Sequence, residues 1–398
     1  MNMTCDTSKV IQTNRVTKSI KAKYDKINFV YRNPSSISSP YMYFRGLKTA
    51  LERNGLLHYT YDVTGTEPLD MNELLKFPIL FIRGSWEPIF NVVKLVSGKQ
   101  FTATINTESL FPKKGSYPGQ DRLKISKLFR KRSYSKIFEL LRQKNSSEML
   151  NLFKRNIFRA KGSREKDYFT VLKNRSKYFD LYFSPVEEDL EKYFGKPCYW
   201  FPSWVHTELL DDVAPPVSDK IGFIGTLGGQ RRKFFKQNKK GIIECLRTLP
   251  KDDALENVKE LCKLVNKYKY LINPGGYAVR CMTGKTFEYM ACKRLCFCYL
   301  DEEYMFKSRL LFEDKKEIVY FKTFAELEEK YRYYLKNSEK ADQIAQTGYE
   351  KVRKYHNADV RAKRFVNLVL HHANGGEYNE SFNEISTFGG KPCRSMNL

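Results

Sequence analysis

The chain has 398 residues, 41% of them apolar and 14% aromatic, enough to bury about two cores and too apolar for a disordered tail. Its formal net charge of +25 implies an anionic partner: nucleic acid, anionic lipid or a phosphorylated substrate. The polar, basic start "MNMTCDTSKVIQTNRVTKSIKAKYDK" lacks the apolar segment of a secretory signal. No apolar run approaches the ~18 residues of a membrane span, so a soluble, cytoplasmic chain is expected.

Residues 1–25 read as a basic leader. "INFVYR" (27–32) predicts a strand, "YMYFRGLKTALERNG" (41–55) a helix by the spacing of Tyr43, Phe44, Leu47, Ala50 and Leu51, and "LLHYTYDV" and "FPILFIRGS" two more strands. A helix over "PIFNVVKLVSG" and a strand at "QFTATINTES" continue the alternation, which implies parallel βαβ units. From about 112 to 177 the rhythm gives way to a basic helical insert. Lys113–Lys177 holds 20 Lys and Arg against 5 Asp and Glu. Such an insert could cover the core, lie on an anionic membrane or bind an acceptor, and a solvated basic surface would look the same.

Alternation resumes with a strand at "YFDLYFSP", a helix around "VEEDLEKYFG" and the stretch "CYWFPSWV". Residues 26–210 form the first domain on this reading, and 211–219 a proline-containing linker. A second domain, 220–372, opens with the strand "KIGFIGTLGG". It continues through helices at "GIIECLRTLP" and "LENVKELCKLVNKYK", the strand "YLINPGG", the helix "GKTFEYMACKR" and the strands "LCFCYL" and "EIVYF", and closes with two helices over 324–372. Residues 373–398 form a polar tail. Four of the nine cysteines fall between Cys281 and Cys298 in apolar sequence without paired CxxC spacing, so they are expected to be buried thiols in a reducing compartment and not zinc ligands.

Ligands of such sheets bind beyond the carboxyl ends of the strands, where two loops of the second domain fall. "GFIGTLGGQRRKFFK" offers Gly225, Thr226, Arg231 and Arg232, a turn that lets backbone N–H groups and guanidinium forks reach an anion. "INPGGYAVRCMTGKTFEYMACKR" offers Asn273, Gly275, Gly276, Arg280, Lys285 and Thr286 at a helix start suited to a diphosphate. Glu288, expected in the first turn of that helix, could accept hydrogen bonds from a ribose diol, or could simply offset the helix dipole or pair with Lys285. Catalytic candidates are Glu108 and His58 at strand exits of the first domain and His206 near the linker.

The order "IGFIGT…RR", "INPGG…GKTFEYMAC", "EIVYF" and the closing "YYLKN…IAQTGYEKV…HNADVR" resembles the nucleotide-sugar domain of GT-B glycosyltransferases of the group-1 type, in particular the CgeB/YkvP spore-maturation glycosyltransferase-like family. The likeness spans about 220–370. It implies two Rossmann-like α/β domains facing a central cleft, with a nucleoside diphosphate sugar held by the second. It also implies ribose contact by Glu288, diphosphate contact by Gly225, Thr226 and Arg231 or Arg232, and no metal or other cofactor. Lys285 stands where the family has arginine, and Lys293 where it has glycine. The acceptor would be a glycan, a protein or a lipid-linked molecule. A non-catalytic binding protein of the same fold, using its basic surface for nucleic acid or an anionic membrane, is the alternative. Against nucleic acid, no helix-turn-helix, RNP or zinc-finger motif accompanies the charge.

Overall fold

The computed structural model describes residues 23–32, 39–84, 87–105, 173–185, 190–210, 213–225, 227, 229–246, 254–275, 282–300 and 308–376. Glu108, Thr226, Gly276 and Arg280, most of the leader, most of the tail and nearly all of the basic insert lie outside them.

The first sheet is wholly parallel and six-stranded, in the order β2-β1-β3-β4-β5-β6. Its strands are β1 (Ile27–Tyr31), β2 (Leu57–Asp62), β3 (Ile79–Ile82), β4 (Thr102–Ile105), β5 (Leu181–Ser184) and β6 (Cys198–Trp200). Helices α1 (Ser39–Arg53), α2 (Met71–Leu74), α3 (Glu87–Val96) and α4 (Glu191–Phe194) join them. Four consecutive residues of β1, from Ile27 to Val30, are buried, as expected for a parallel strand covered on both faces. Asn28 is the polar member of that run. Its amide donates to the carbonyls of Glu73 and Leu74 at 3.0 and 2.9 Å, which fastens the end of α2 to the strand.

The second sheet, also parallel, runs β8-β7-β9-β10-β11. It comprises β7 (Ser218–Ile224), β8 (Ile243–Leu246), β9 (Tyr268–Asn273), β10 (Leu295–Tyr299) and β11 (Val319–Phe321). Around it lie α5 (Gly229–Phe235), α6 (Ala254–Asn266), α7 (Gly284–Ala291), α8 (Ser308–Leu311), α9 (Phe324–Lys336) and α10 (Ser338–Tyr355). Along β10, Leu295 and Phe297 face one core while Cys296 and Cys298 face the other, so both sides of this sheet are packed as well. In each sheet the winding reverses, between β1 and β3 and between β7 and β9. Those two switch points are where ligands of doubly wound sheets bind.

Three sequence expectations are corrected. "GIIECLRTLP" begins not with a helix but with the edge strand β8, in parallel register with β7. A short apolar run has no decisive period, and pairing with β7 settles its state. Residues 324–372 form three helices, not two, because Asn337 and Asn357 interrupt the chain. Asn357 then caps α11 (Ala358–Ala373) by accepting from the Val360 amide at 3.0 Å.

The third correction concerns the domain limits. α11, assigned by sequence to the second domain, packs Ala358, Ala362, Phe365, Val366 and Val369 into the core of the first, beside Phe29, Leu47 and Phe183. Its apolar stripe thus serves a sheet more than 150 residues upstream. The connection back is fixed at its start. Arg361, fully buried, points a guanidinium N–H at His356 Nδ1 (2.6 Å) and lies 4.9 Å from the Phe201 ring centroid. Burial, with Arg361 beside it, holds the His356 pKa well below its ordinary value, so the imidazole is a neutral acceptor.

Candidate functional site at the second switch point

The exits of β7 and β9 flank the switch point of the second sheet. Gly225, directly after β7, has φ +147°, a conformation that side chains rarely adopt. Its amide donates to the Leu246 carbonyl at 2.9 Å. A Cβ there would lie 3.2 and 3.3 Å from Lys285 Cε and Nζ, so the glycine leaves room for the ammonium to sit against the loop.

Beyond β9 the chain is latched to α7 by one side chain. Asn273 donates to the hydroxyls of Thr283 (3.0 Å) and Thr286 (2.6 Å), and its carbonyl oxygen accepts from the Gly275 amide at 2.9 Å. A Cβ on Gly275 would meet Asn273 Oδ1 and Thr283 Cγ2 at 2.7 Å, so only glycine fits inside the latch. Thr283 is the N-cap residue of α7, and Lys285 is the second residue of the helix. The first-turn amides and the Lys285 charge therefore converge beside the β7 loop, an arrangement that favours an anion.

Two further charges shape the site. Glu288, only 2% exposed, is the fifth residue of α7 and stands one turn further in than the sequence suggests. Burial depresses the Lys285 pKa, Glu288 raises it and Arg231 lowers it further. Arg231, on α5, is half-buried, with its Nε enclosed and without a hydrogen-bond partner among the described residues. Burial also holds the Arg231 pKa below its ordinary value, with Tyr289 opposing. The Tyr289 hydroxyl lies 3.3 Å from the Ile224 amide and ties the second turn of α7 to the end of β7.

Gly225, Arg231, Asn273, Gly275, Lys285, Thr286 and Glu288 are thus brought together. Arg232, the neighbour of Arg231, is exposed on α5. His58 stands elsewhere. It is the second residue of β2, at the strand's amino end and not its exit, where it pairs with Glu73 at 2.7 Å and packs against Phe77. His206 is buried where the two sheets' elements meet. A Cβ on Gly46 of α1 would meet its ring at 2.9 Å, and its Nδ1 faces the Glu208 carboxylate. Burial lowers the His206 pKa and Glu208 opposes the shift. Around it Arg53 bonds Asp359 of α11, and Asp359 accepts from Thr207 at 2.8 Å, so this polar cluster joins α1, α11 and the crossing chain.

Thr283 and Tyr289 were not singled out from sequence. A threonine ahead of a helix is a capping signal that could have found the first, whereas the Tyr289 contact depends on how α7 docks. The thiols near the site are packing groups. Cys292, Cys296 and Cys298 are free and buried, and burial pushes Cys298 up to about 12. Among the described residues no three His, Cys, Asp or Glu side chains group to hold a metal ion. No described helix is long and apolar enough to cross a membrane.

Comparison with known proteins bears on the fold that carries this site. Residues 233–367 match the family model described as "Glycosyl transferase-like". No curated protein matches the sequence. Among solved structures, sucrose-phosphate synthase from Thermosynechococcus elongatus is similar at TM-score 0.50 and 10% identity, covering 87% of this chain and 98% of that one. An alpha-glucosyltransferase in complex with UDP is similar at TM-score 0.50 and 8% identity, with coverages of 86% and 99%. HepE of Anabaena, in complex with UDP and glucose, is similar at TM-score 0.50 and 8% identity, with coverages of 87% and 99%. The chain has the GT-B fold of glycosyltransferases, two Rossmann-like parallel-sheet domains, and the glycosyl transferase-like match covers most of the second.

Proposed function

We propose that this chain is a glycosyltransferase of the group-1 type, related to the CgeB/YkvP-like proteins, that moves a hexosyl or related sugar from a nucleoside diphosphate donor to a glycan, protein or lipid-linked acceptor. The observation that carries this reading is the Lys285 ammonium held against Gly225, between the two switch-point loops and one turn from a buried acid. The diphosphate would lie at the start of α7 between Lys285 and Arg231, and Glu288 would hold the ribose. Uridine diphosphate sugars are the first donors to test, because two similar structures were solved with UDP.

In the reaction, the bond between the anomeric carbon and the diphosphate oxygen breaks, and its electron pair leaves with the diphosphate. The acceptor oxygen bonds to the anomeric carbon, and its proton passes to a base or to the departing diphosphate. Fixed cations beside the leaving group lower this barrier, because the charge they meet grows in the transition state. The Lys285 and Arg231 positions suit that task. No step requires a bound metal.

A panel of nucleoside diphosphate sugars tests the reading, with thermal stabilisation and nucleotide release measured together. One donor at about 100 times its Kd should stabilise the protein by about 2.7 kcal/mol and should be turned over. Stabilisation without turnover, with or without added acceptors, would indicate a binding protein of the same fold. No stabilisation by any donor would refute the donor site.

A further inference from the structure

The turn that ends α7 puts a lysine where the backbone favours glycine. The Lys293 amide donates to the Met290 carbonyl at 3.0 Å and the Arg294 amide to the Tyr289 carbonyl at 3.2 Å, a closure whose left-handed residue is usually glycine. Here that residue is Lys293, at φ +55° and exposed. Glycine would relieve the strain, so a lysine adds only its charge and its reach at this position.

Arg294, next in the chain, is only 5% exposed. Its Nη2 donates to the Ala214 carbonyl of the linker and to Asn266 Oδ1 (2.7 Å), while its Nε is enclosed without a hydrogen-bond partner. Burial lowers the Arg294 pKa, opposed by Cys292 and Asp342, and Asp342 is itself ion-paired with Lys269 at 2.8 Å. A buried guanidinium bonded only to neutral oxygens bears a desolvation cost that an anion beside it offsets. There is room for one. A cavity of about 360 Å³, within the range of small-molecule pockets, lies between the linker residues Val213–Pro216 and α10. Lys269, Lys293 and Arg294 line it against a single carboxylate, Asp342, which leaves two positive charges. A phosphate monoester carries about −1.5 to −2 at neutral pH and matches that surplus.

We propose that this cavity is a phosphate-binding site, in which Arg294 and Lys293 hold the phosphoryl group of a small molecule beneath the linker between the two domains. It is separate from the donor site. Lys269 and Leu295 stand at the amino ends of β9 and β10, whereas Asn273 and Lys285 lie beyond the carboxyl end of β9. The site does not depend on the glycosyltransferase reading.

The test uses the full chain, saturated with UDP so that the donor site is filled, and titrated by calorimetry with inorganic phosphate, glucose 6-phosphate and glucose. At least one phosphate compound should bind with a Kd of about 1 mM or tighter, and the two arms show whether free phosphate or a phosphorylated metabolite is preferred. Glucose should bind at least about tenfold more weakly than the preferred phosphate compound. Lys293→Gly removes the charge and relieves the backbone, and Arg294→Gln keeps a donor for the Ala214 carbonyl. Each should weaken phosphate binding by about tenfold while UDP affinity stays unchanged. Should Arg294→Gln fail to fold, Lys293→Gly still decides. Should UDP not bind, the same titrations are made on Lys285→Met, which lacks the donor-site ammonium. No binding of either phosphate compound, glucose binding as tight as theirs, or unaltered phosphate binding in a folded variant would overturn the proposal.

Discussion

Replacing Lys285 by methionine is expected to lower kcat by about 10²–10³-fold while leaving the fold intact, the usual loss when one fixed charge or donor at the reacting group is removed. The effect should appear mainly in kcat, because the diphosphate gains charge as the sugar departs. Methionine keeps the unbranched apolar stem beside Gly225 and removes only the terminal ammonium, so little packing is lost with the charge. A pH profile separates the charge from the shape. Burial holds the Lys285 pKa below its ordinary value, so activity should fall as pH rises through that lowered value. Lys285→Arg keeps its charge at high pH and should move this fall upward. A methionine variant with kcat within a factor of two or three of the unaltered enzyme would remove Lys285 from the mechanism.

Phe365→Ala is expected to destabilise the first domain by about 3–5 kcal/mol, although the residue lies near the end of the chain. Phe365 is fully buried and stacked on Phe201 at 3.8 Å between centroids, with Phe183 and Trp204 against its edges at 4.9 and 5.5 Å. Removing the ring leaves a cavity where α11 meets the first sheet. For a domain of this size the loss corresponds to a Tm lower by roughly 10 °C. Chemical unfolding followed at the two domains should show the first domain weakened and donor binding at low temperature preserved. A loss below about 1 kcal/mol would mean that α11 is not part of that core.

How far the sequence reveals these features depends on the range over which each is determined. The second-domain site was legible because its parts are local. Glycine turns, a cation and a following helix lie within short stretches, and each turn sits at the end of a strand visible from its apolar run. The position of Glu288 was misjudged by one turn because the helix begins only at Gly284, after a capping threonine. β8 was hidden because Ile242 and Ile243 suit either state until β7 supplies the pairing. The placement of α11 was not legible at all, since its apolar stripe says that it must be covered and not by what. His58 was misplaced because a strand's exit end is known only once its limits are known.

Calorimetric titration of the full chain with UDP, beside the Glu288→Ala variant, tests the donor site most directly. A carboxylate that accepts both ribose hydroxyls makes charge-assisted hydrogen bonds, so its loss should weaken UDP binding by about 10–100-fold. Inorganic pyrophosphate, which lacks the ribose, should bind both proteins alike. The account predicts UDP binding to the unaltered chain and that selective loss in the variant. Equal UDP affinity in the two proteins would contradict it, as would the failure of UDP and of every other nucleoside diphosphate to bind the unaltered chain.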